Sequence, residues 1–569
     1  MGSERRREMQ DAATRPLGTW RMIALTVGMS STQLLWSVQN AYGTPYMNSL
    51  GIPAEYTALI WLASPLAGLI VQPTIGPLSD ETSGRFRRRS WIVSSTLVTY
   101  VAMLYVSWAP DFLSAFVVSN AASKALTISI AVVFLWIANF SLNVMQATVR
   151  DLLLDQAPAS QQPRANAWVT RFSDVAGVLG YLAGYFRLSS WSALDWMNST
   201  AAGSGTQFRK LSFVASTAAA VLVVLLCLTQ HERRNEPVKG ERETWRRLWR
   251  DLKESLGGLP LPVRRVCYVQ VLAWVGYNAL LVYSSSYVAS LVYATNPSTT
   301  TDDSTRAGSL GLVFYSLIAL VSSILFPLLC SLGARQSVLA RLPRSRSSAV
   351  RRLLAGVTPR NVWTAGLVVF AAAMAGTFAV QTVGQAQAAV AVTGVSWAVG
   401  EWVPYALVLE AVRELEQEST AALSTSRADP AAPFTSSPNP TTAHSLTHSS
   451  LSSSSPLTAA RPGGSLLGIH ATSIVIAKII LSSCASCIFK VVSAFSSSVD
   501  ENVTRAGAPW VLRFGGLAAL TAAVASRWAV EPTSERVYRE RLCGGTKTGG
   551  EGKVRALRRV RESEQDRGQ

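Results

Sequence analysis

Charged side chains are scarce in this chain. Asp, Glu, Lys and Arg make up 15% of its 569 residues, against roughly a quarter in an ordinary soluble domain. With 49% apolar residues beside them, that shortage excludes a soluble globular enzyme and a disordered protein alike. Cysteine is scarce too, at six residues. Cys227, Cys267, Cys330, Cys484 and Cys487 fall in or beside apolar runs, and Cys543 lies in the basic tail. None lies in a loop expected outside, so no disulfide framework and no disulfide-rich secreted domain is implied. Cys484-x-x-Cys487 has the form of a metal or redox motif, but no second ligand pair accompanies it. No nucleotide-binding loop, zinc-ligand spacing or nucleophile elbow is present. An enzyme is therefore disfavoured, and no cofactor is expected. The first apolar run, Trp20 to Val38, has no small-residue cleavage pattern after it. It reads as a membrane anchor rather than a cleavable signal.

What the chain does have is long apolar runs, with nearly all charge between them. The predicted spans are 20–39, 55–76, 91–109, 121–147, 165–186, 208–229, 266–291, 308–331, 361–381, 385–410, 465–493 and 508–529. Each is near the length of about 20 residues that crosses a bilayer as a helix. The fourth and tenth are the hardest to bound. A single-span receptor is excluded by their number.

The net charge is +18. On a soluble chain that would suggest nucleic acid, but here the positive-inside rule explains it and no nucleic-acid partner is expected. With both termini inside, most of the 52 Lys and Arg fall in tails and inner loops. Arg187, Arg209, Lys210, Arg306 and Arg505 are those in outside loops. The N-x-S/T sequons at Asn198 and Asn502 also fall in outside loops and are glycosylation candidates. The longest inner loop divides the spans into two sets of six, as in a duplicated transporter bundle. The expected layout is a cytoplasmic tail (1–19), a six-helix bundle (20–230) and a central cytoplasmic loop (231–265). A second six-helix bundle (266–530) follows, with a disordered Ser/Thr/Pro-rich insert (411–464), then a basic cytoplasmic tail (531–569).

Polar residues inside apolar spans are costly and mark a path or a packed interior. In the fourth span Asn139, Asn143, Gln146 and Arg150 are spaced to lie within about 60° on one helical face. That stripe either lines a cavity or serves helix–helix hydrogen bonds. In the fifth span Arg171 and Asp174 are placed to pair within the helix, and Gly177, Gly180 and Gly184 form a small-residue face suited to close packing. The first span puts Gln33, Ser37 and Asn40 on one side with Trp36 beside them; the seventh aligns Gln270, Trp274, Tyr277 and Ser284; the tenth aligns Thr393, Trp397, Glu401 and Tyr405. Aromatic faces beside amides suit a sugar, while interfacial anchoring is the plainer account of any one Trp or Tyr. Lys478, deep in the eleventh span, should pair with an acid or give up its proton more readily, and Glu401 and Asp174 are the deep acids available.

The segment after the second span reads Gly76-Pro-Leu-Ser-Asp80-Glu-Thr-Ser-Gly-Arg85-Phe-Arg87-Arg88-Arg89-Ser90. It resembles the signature of the major facilitator superfamily in the form found in glycoside–cation symporters. Ala41-Tyr-Gly-Thr-Pro-Tyr46, Leu69-Ile-Val-Gln-Pro73, Val178-Leu-Gly-Tyr-Leu-Ala-Gly184, Arg306-Ala-Gly-Ser309, Gln146 through Arg150 with Asp155, and Gly468-Ile-His470 are similar to sucrose and α-glucoside transporters. Asn166-Ala-Trp168 with Arg171 is similar to fungal members. The resemblance implies an all-α membrane protein of twelve transmembrane helices in two six-helix halves, in the plasma membrane, with vacuole or endosome as alternatives. It implies a secondary active transporter of sucrose or a related glucoside, with a proton as co-substrate. Gly76, Asp80, Arg85, Arg87, Arg88 and Arg89 would form a conformational latch, and Arg150 would meet substrate or serve coupling. The chain departs from the family where it carries Gln39 and Asn139 in place of carboxylates. Amides take up no proton at physiological pH. Coupling would then fall to another deep acid, Glu401 first, unless the protein is a uniporter or a non-transporting sugar sensor on the same fold.

Overall fold

The structure, a computed structural model, describes residues 17–81, 87–116, 121–158, 161–198, 205–230, 259–334, 357–426, 463–495 and 500–529. Among these no β-strand occurs, and helices form twelve successive spans. The first is broken into Thr19–Thr26, Met29–Val38, a π turn Gln39–Gly43 and Thr44–Ser49. The second is Ala54–Ile60 with Ala63–Glu81. The third to sixth are Arg87–Phe116, Ala121–Gln156, Gln162–Tyr185 and Thr206–Thr229. The seventh to ninth are Leu261–Thr295, Thr301–Ala334 and Pro359–Gly376. The tenth is Val383–Val392 with Gly394–Ser426, the eleventh Gly463–Phe495 and the twelfth Asp500–Ala525. Nine of the twelve are long and apolar enough to cross a membrane on composition alone. The first, fifth and ninth fall short: the first is cut by its π turn, the fifth carries Asn166, Arg171 and Asp174, and the ninth opens on Pro359-Arg360-Asn361.

Span ends differ from the hydropathy reading where a helix outruns the apolar stretch. The first span continues to Ser49, the fourth to Gln156, and the tenth to Ser426, well into the segment expected to be disordered. Backbone hydrogen bonds do not stop where the bilayer does, so a helix-favouring sequence such as Leu409–Gln417 carries the tenth span on. Residues 427–462, the tail 530–569 and the central segment 231–258 lie outside the described residues.

An even number of spans puts the first and last described residues on one face of the bundle, the terminal face. The two halves meet along small residues. A Cβ on Gly180 would stand 2.6 Å from Ser37 Cβ, and one on Gly184 would stand 2.6 Å from Ser309 Oγ. The fifth span thus rests on the first span of its own half and on the eighth span of the other. The far face is stitched by hydrogen bonds between halves. Ser309 Oγ donates to Tyr181 O (2.7 Å), Arg306 Nε to Tyr185 O (2.9 Å) and Thr44 Oγ1 to Val282 O (3.1 Å). Arg187 and Arg306 both hold the Asp303 carboxylate at 2.8 Å.

Arg209 and Lys210, expected in an outside loop, lie in the first turn of the sixth helix and are buried. Cations there oppose the helix dipole, so each needs compensation. Arg209 pairs with Asp111, lies over the Trp108 ring (4.9 Å) and donates to Ser107 O and Met197 O. Lys210 Nζ donates to Ser189 O, Trp191 O and Asp195 Oδ1. These bonds fasten the 187–198 loop onto the bundle. Removing one member of such a pair strands a buried charge, which costs about 3–5 kcal/mol. Asp111→Ala is therefore expected to lower the thermal stability of the purified protein sharply, and Asp111→Ala with Arg209→Met to recover much of it. An unchanged melting temperature in the single variant would show that this pair carries no fold stability.

Candidate functional site

The seventh, tenth and eleventh spans meet the first span at the centre of the molecule. The seventh and tenth are locked by close approach: the Tyr277 ring lies 2.7 Å from where a Cβ on Gly400 would stand, and its hydroxyl meets Ser396 O and Oγ at 3.0 Å. That contact sets the rotation of the tenth helix and presents Trp397 and Glu401 on successive turns. Trp397 is ringed edge-on by Trp274 (5.4 Å), Tyr277 (5.8 Å) and Tyr315 (6.1 Å).

Lys478 pairs directly with no acid among the described residues. Among the described residues it makes no ion pair or hydrogen bond; its ammonium lies over Trp36 (5.8 Å) and Trp274 (5.5 Å), one indole from each half. A cation on an indole face gains roughly 0.5–2 kcal/mol, which offsets part of its lost hydration. The Lys478 charge also acts on Glu401, as do those of Asp174 and Arg150. Glu401 is exposed although Val399, Gly400 and Val403 around it are buried. Four ionisable groups from four spans are therefore within electrostatic reach of one another, with no salt bridge closed among them in the described residues.

The expected Arg171–Asp174 pair is absent among the described residues. Arg171 lies over the Trp168 ring (5.4 Å), and Asp174 accepts from Ser323 Oγ (2.8 Å) on the eighth span. The helix rotation set by the glycine seam aims Asp174 at the opposite half, away from its neighbour on the same helix. The fourth-span stripe divides by depth. Asn139 and Asn143 are buried and donate to the carbonyls of Leu135 and Asn139 one turn back (2.9 Å each), whereas Gln146 is half-buried and Arg150 exposed. Gln39 is buried, with Met103 Sδ as its neighbour at 3.9 Å.

At the terminal face Arg88 is buried and reaches Asp151 (3.3 Å), Asp155 (3.1 Å) and Ser79 Oγ. It ties the end of the second span and the start of the third to the end of the fourth. Arg89 is also buried. Gly76 and Asp80 lie on the second helix and Arg87 opens the third, but their side chains, and Arg85 altogether, lie outside the described residues. Asn198 is exposed, its Nδ2 on Asp195 Oδ1 at 3.3 Å. Asn502 sits in the first turn of the twelfth helix, its side chain outside the described residues.

Sequence reasoning missed Asp151, Ser323 and Tyr315. Asp151 stands next to Arg150 and four residues before Asp155, which places both carboxylates on one helical face and was the available signal. Ser323 and Tyr315 carry no local signal, since a lone hydroxyl in an apolar span is common.

The Major Facilitator Superfamily profile matches residues 22–426. The chain is 31% identical over 454 residues to a general alpha-glucoside permease of Schizosaccharomyces pombe, covering 69% of this chain and 80% of that protein. It is 27% identical over 344 residues to a sucrose transport protein of Oryza sativa subsp. indica, covering 56% of this chain and 67% of that one. In fold it is similar to the xylose transporter of E. coli in a partially occluded inward-open conformation, with a TM-score of 0.53 at 14% identity over 93% of this chain and 100% of the other. The profile match, the permease and the twelve-helix architecture agree: the chain is an integral, multi-pass membrane protein and belongs to the major facilitator superfamily.

Proposed function

We propose that this protein carries sucrose or a related α-glucoside across the plasma membrane by alternating access, with a proton as co-substrate. Support comes from relatives named for α-glucosides and sucrose. The observation that carries the reading is the central cluster, in which Trp36, Trp274 and Trp397 gather with Lys478 and Glu401 between the halves. Indole faces suit the C–H faces of a pyranose, and charged groups give strong hydrogen bonds to its hydroxyls. With both termini cytoplasmic, as the positive-inside rule favours, the stitched far face is the outer one. The state described is then closed outside, and the far-face bonds must break for solute to enter.

Proton coupling needs a group that gains and loses a proton. Gln39 and Asn139 are buried amides that cannot, which keeps uniport as the competing reading. Glu401 is a carboxylate reached by the charges of both halves, and it is the proton site of this proposal. Uptake of labelled sucrose by cells lacking their own carrier tests the whole reading. Glu401→Gln is expected to abolish accumulation driven by a pH gradient while sugar exchange remains measurable. Wild-type uptake indifferent to pH and to protonophores would leave a uniporter.

The Arg88 cluster is the conformational latch of this proposal. Asp151 and Asp155 both bind the Arg88 guanidinium, whose planar fork suits carboxylates, whereas a lysine offers only a point charge. Arg88→Lys is expected to reach the surface normally yet lose at least about tenfold in maximal uptake rate. A Lys variant equal to wild type would remove the latch role.

A further inference from the structure

Gln270 is wholly buried on the seventh span, and neither its Nε2 nor its Oε1 has a hydrogen-bond partner among the described residues. An amide brings two N–H donors and a two-lone-pair acceptor, and leaving both ends unmet is costly. Other buried amides fare better: Asn139 keeps a bond to Leu135 O, and Gln207 bonds the carbonyls of Gly184 and Phe186. Two further buried groups close by are also unmet, the Trp274 indole N–H and the Tyr315 hydroxyl. The contrast with Tyr277 is direct, since its hydroxyl is held by Ser396. Gln270 and Trp274 are four residues apart and share a helical face. Trp274 and Tyr315 both stand against Trp397, itself half-buried. Two unmet groups from the seventh and eighth spans thus stand against one aromatic ring at the central cluster, and Gln270 lies one helical turn from the first of them.

We infer that Gln270 is the specificity-determining residue of the solute site. Its amide donates to one hydroxyl and accepts from its neighbour on a glycosyl ring, Trp274 Nε1–H and the Tyr315 hydroxyl take further oxygens, and Trp397 covers a C–H face. The ligand class is a neutral glycoside with adjacent free hydroxyls on one ring. This rests on the sugar-transport reading and adds to it which half reads the sugar. A site built to hydrogen-bond a hydroxyl rejects an analogue lacking it by leaving protein groups unpaired. An amide does so without titrating, so this discrimination is independent of pH even where uptake is not.

The test uses the full chain in cells lacking their own sugar carriers. Uptake of labelled sucrose, or of whichever α-glucoside wild type carries best, is competed with its monodeoxy analogues. In wild type, analogues lacking either of two adjacent hydroxyls are expected to compete at least about tenfold worse than the parent. In Gln270→Ala the half-saturation constant is expected to rise at least about tenfold, and those two analogues to compete like the parent. Should Gln270→Ala fail to reach the surface, Gln270→Glu keeps the volume and the acceptor, and is expected to lose discrimination at the hydroxyl that needs a donor. Variants that discriminate as wild type does, or that lose rate with discrimination intact, overturn the inference and leave Gln270 a packing residue. A wild type that carries and binds no sugar overturns the transport reading instead, and this inference with it.

Discussion

Within a bilayer core no water is available to a polar group, so each one must find its partner inside the protein or face an aqueous path. The rest of this structure follows from that constraint. It makes every span helical. It explains why buried Ser and Thr hydroxyls such as Thr26, Thr96 and Thr148 turn back onto their own helix carbonyls. It also explains why Arg209 and Lys210 bring a complete set of carbonyls and carboxylates with them into the interior. Departures from the rule are therefore informative, and some of them lie at the centre: Gln270, Trp274 and Tyr315 have unmet polar atoms among the described residues, and the Lys478 ammonium lies against two indole rings.

The seam between the halves is built from close contacts and single hydrogen bonds. Gly184 lets the fifth helix approach Ser309 of the other half more closely than any side chain permits, as Gly180 does for Ser37 within its own half. Contacts of that kind are van der Waals and single hydrogen bonds, each worth little alone. Ser309, Arg306, Thr44 and Asp303 stitch the far face beside an apolar core that runs across both halves. Within one half the bonds are of another kind, as in Arg88 with two carboxylates and Arg209 with Asp111. Buried ion pairs thus tie spans together within the first half, while single hydrogen bonds and the exposed Arg187–Asp303 pair join the halves.

Much of this was legible in the sequence because the relevant signals are local. A stretch of apolar residues of bilayer length marks a span wherever it packs, and the polar residues at offsets of three and four mark a face of that span. So the twelve spans, the fourth-span stripe and the glycine face of the fifth could be read from the chain alone. Span ends could not, because hydropathy reports lipid contact while helix length reports backbone bonding; the fourth and tenth helices outrun their apolar runs for that reason.

What only the tertiary structure decided is which faces meet. Arg171 and Asp174 are neighbours by helical spacing, yet the rotation of the fifth helix against its glycine seam sends Asp174 to Ser323 and Arg171 to Trp168. Lys478 called for an acid by composition, yet it lies between an indole of the first span and one of the seventh, 238 residues apart in sequence (274 minus 36). Spacing along a chain determines which residues share a side of one helix. It carries no information on how that helix is turned toward the others, because turning is set by close packing among residues far apart in sequence.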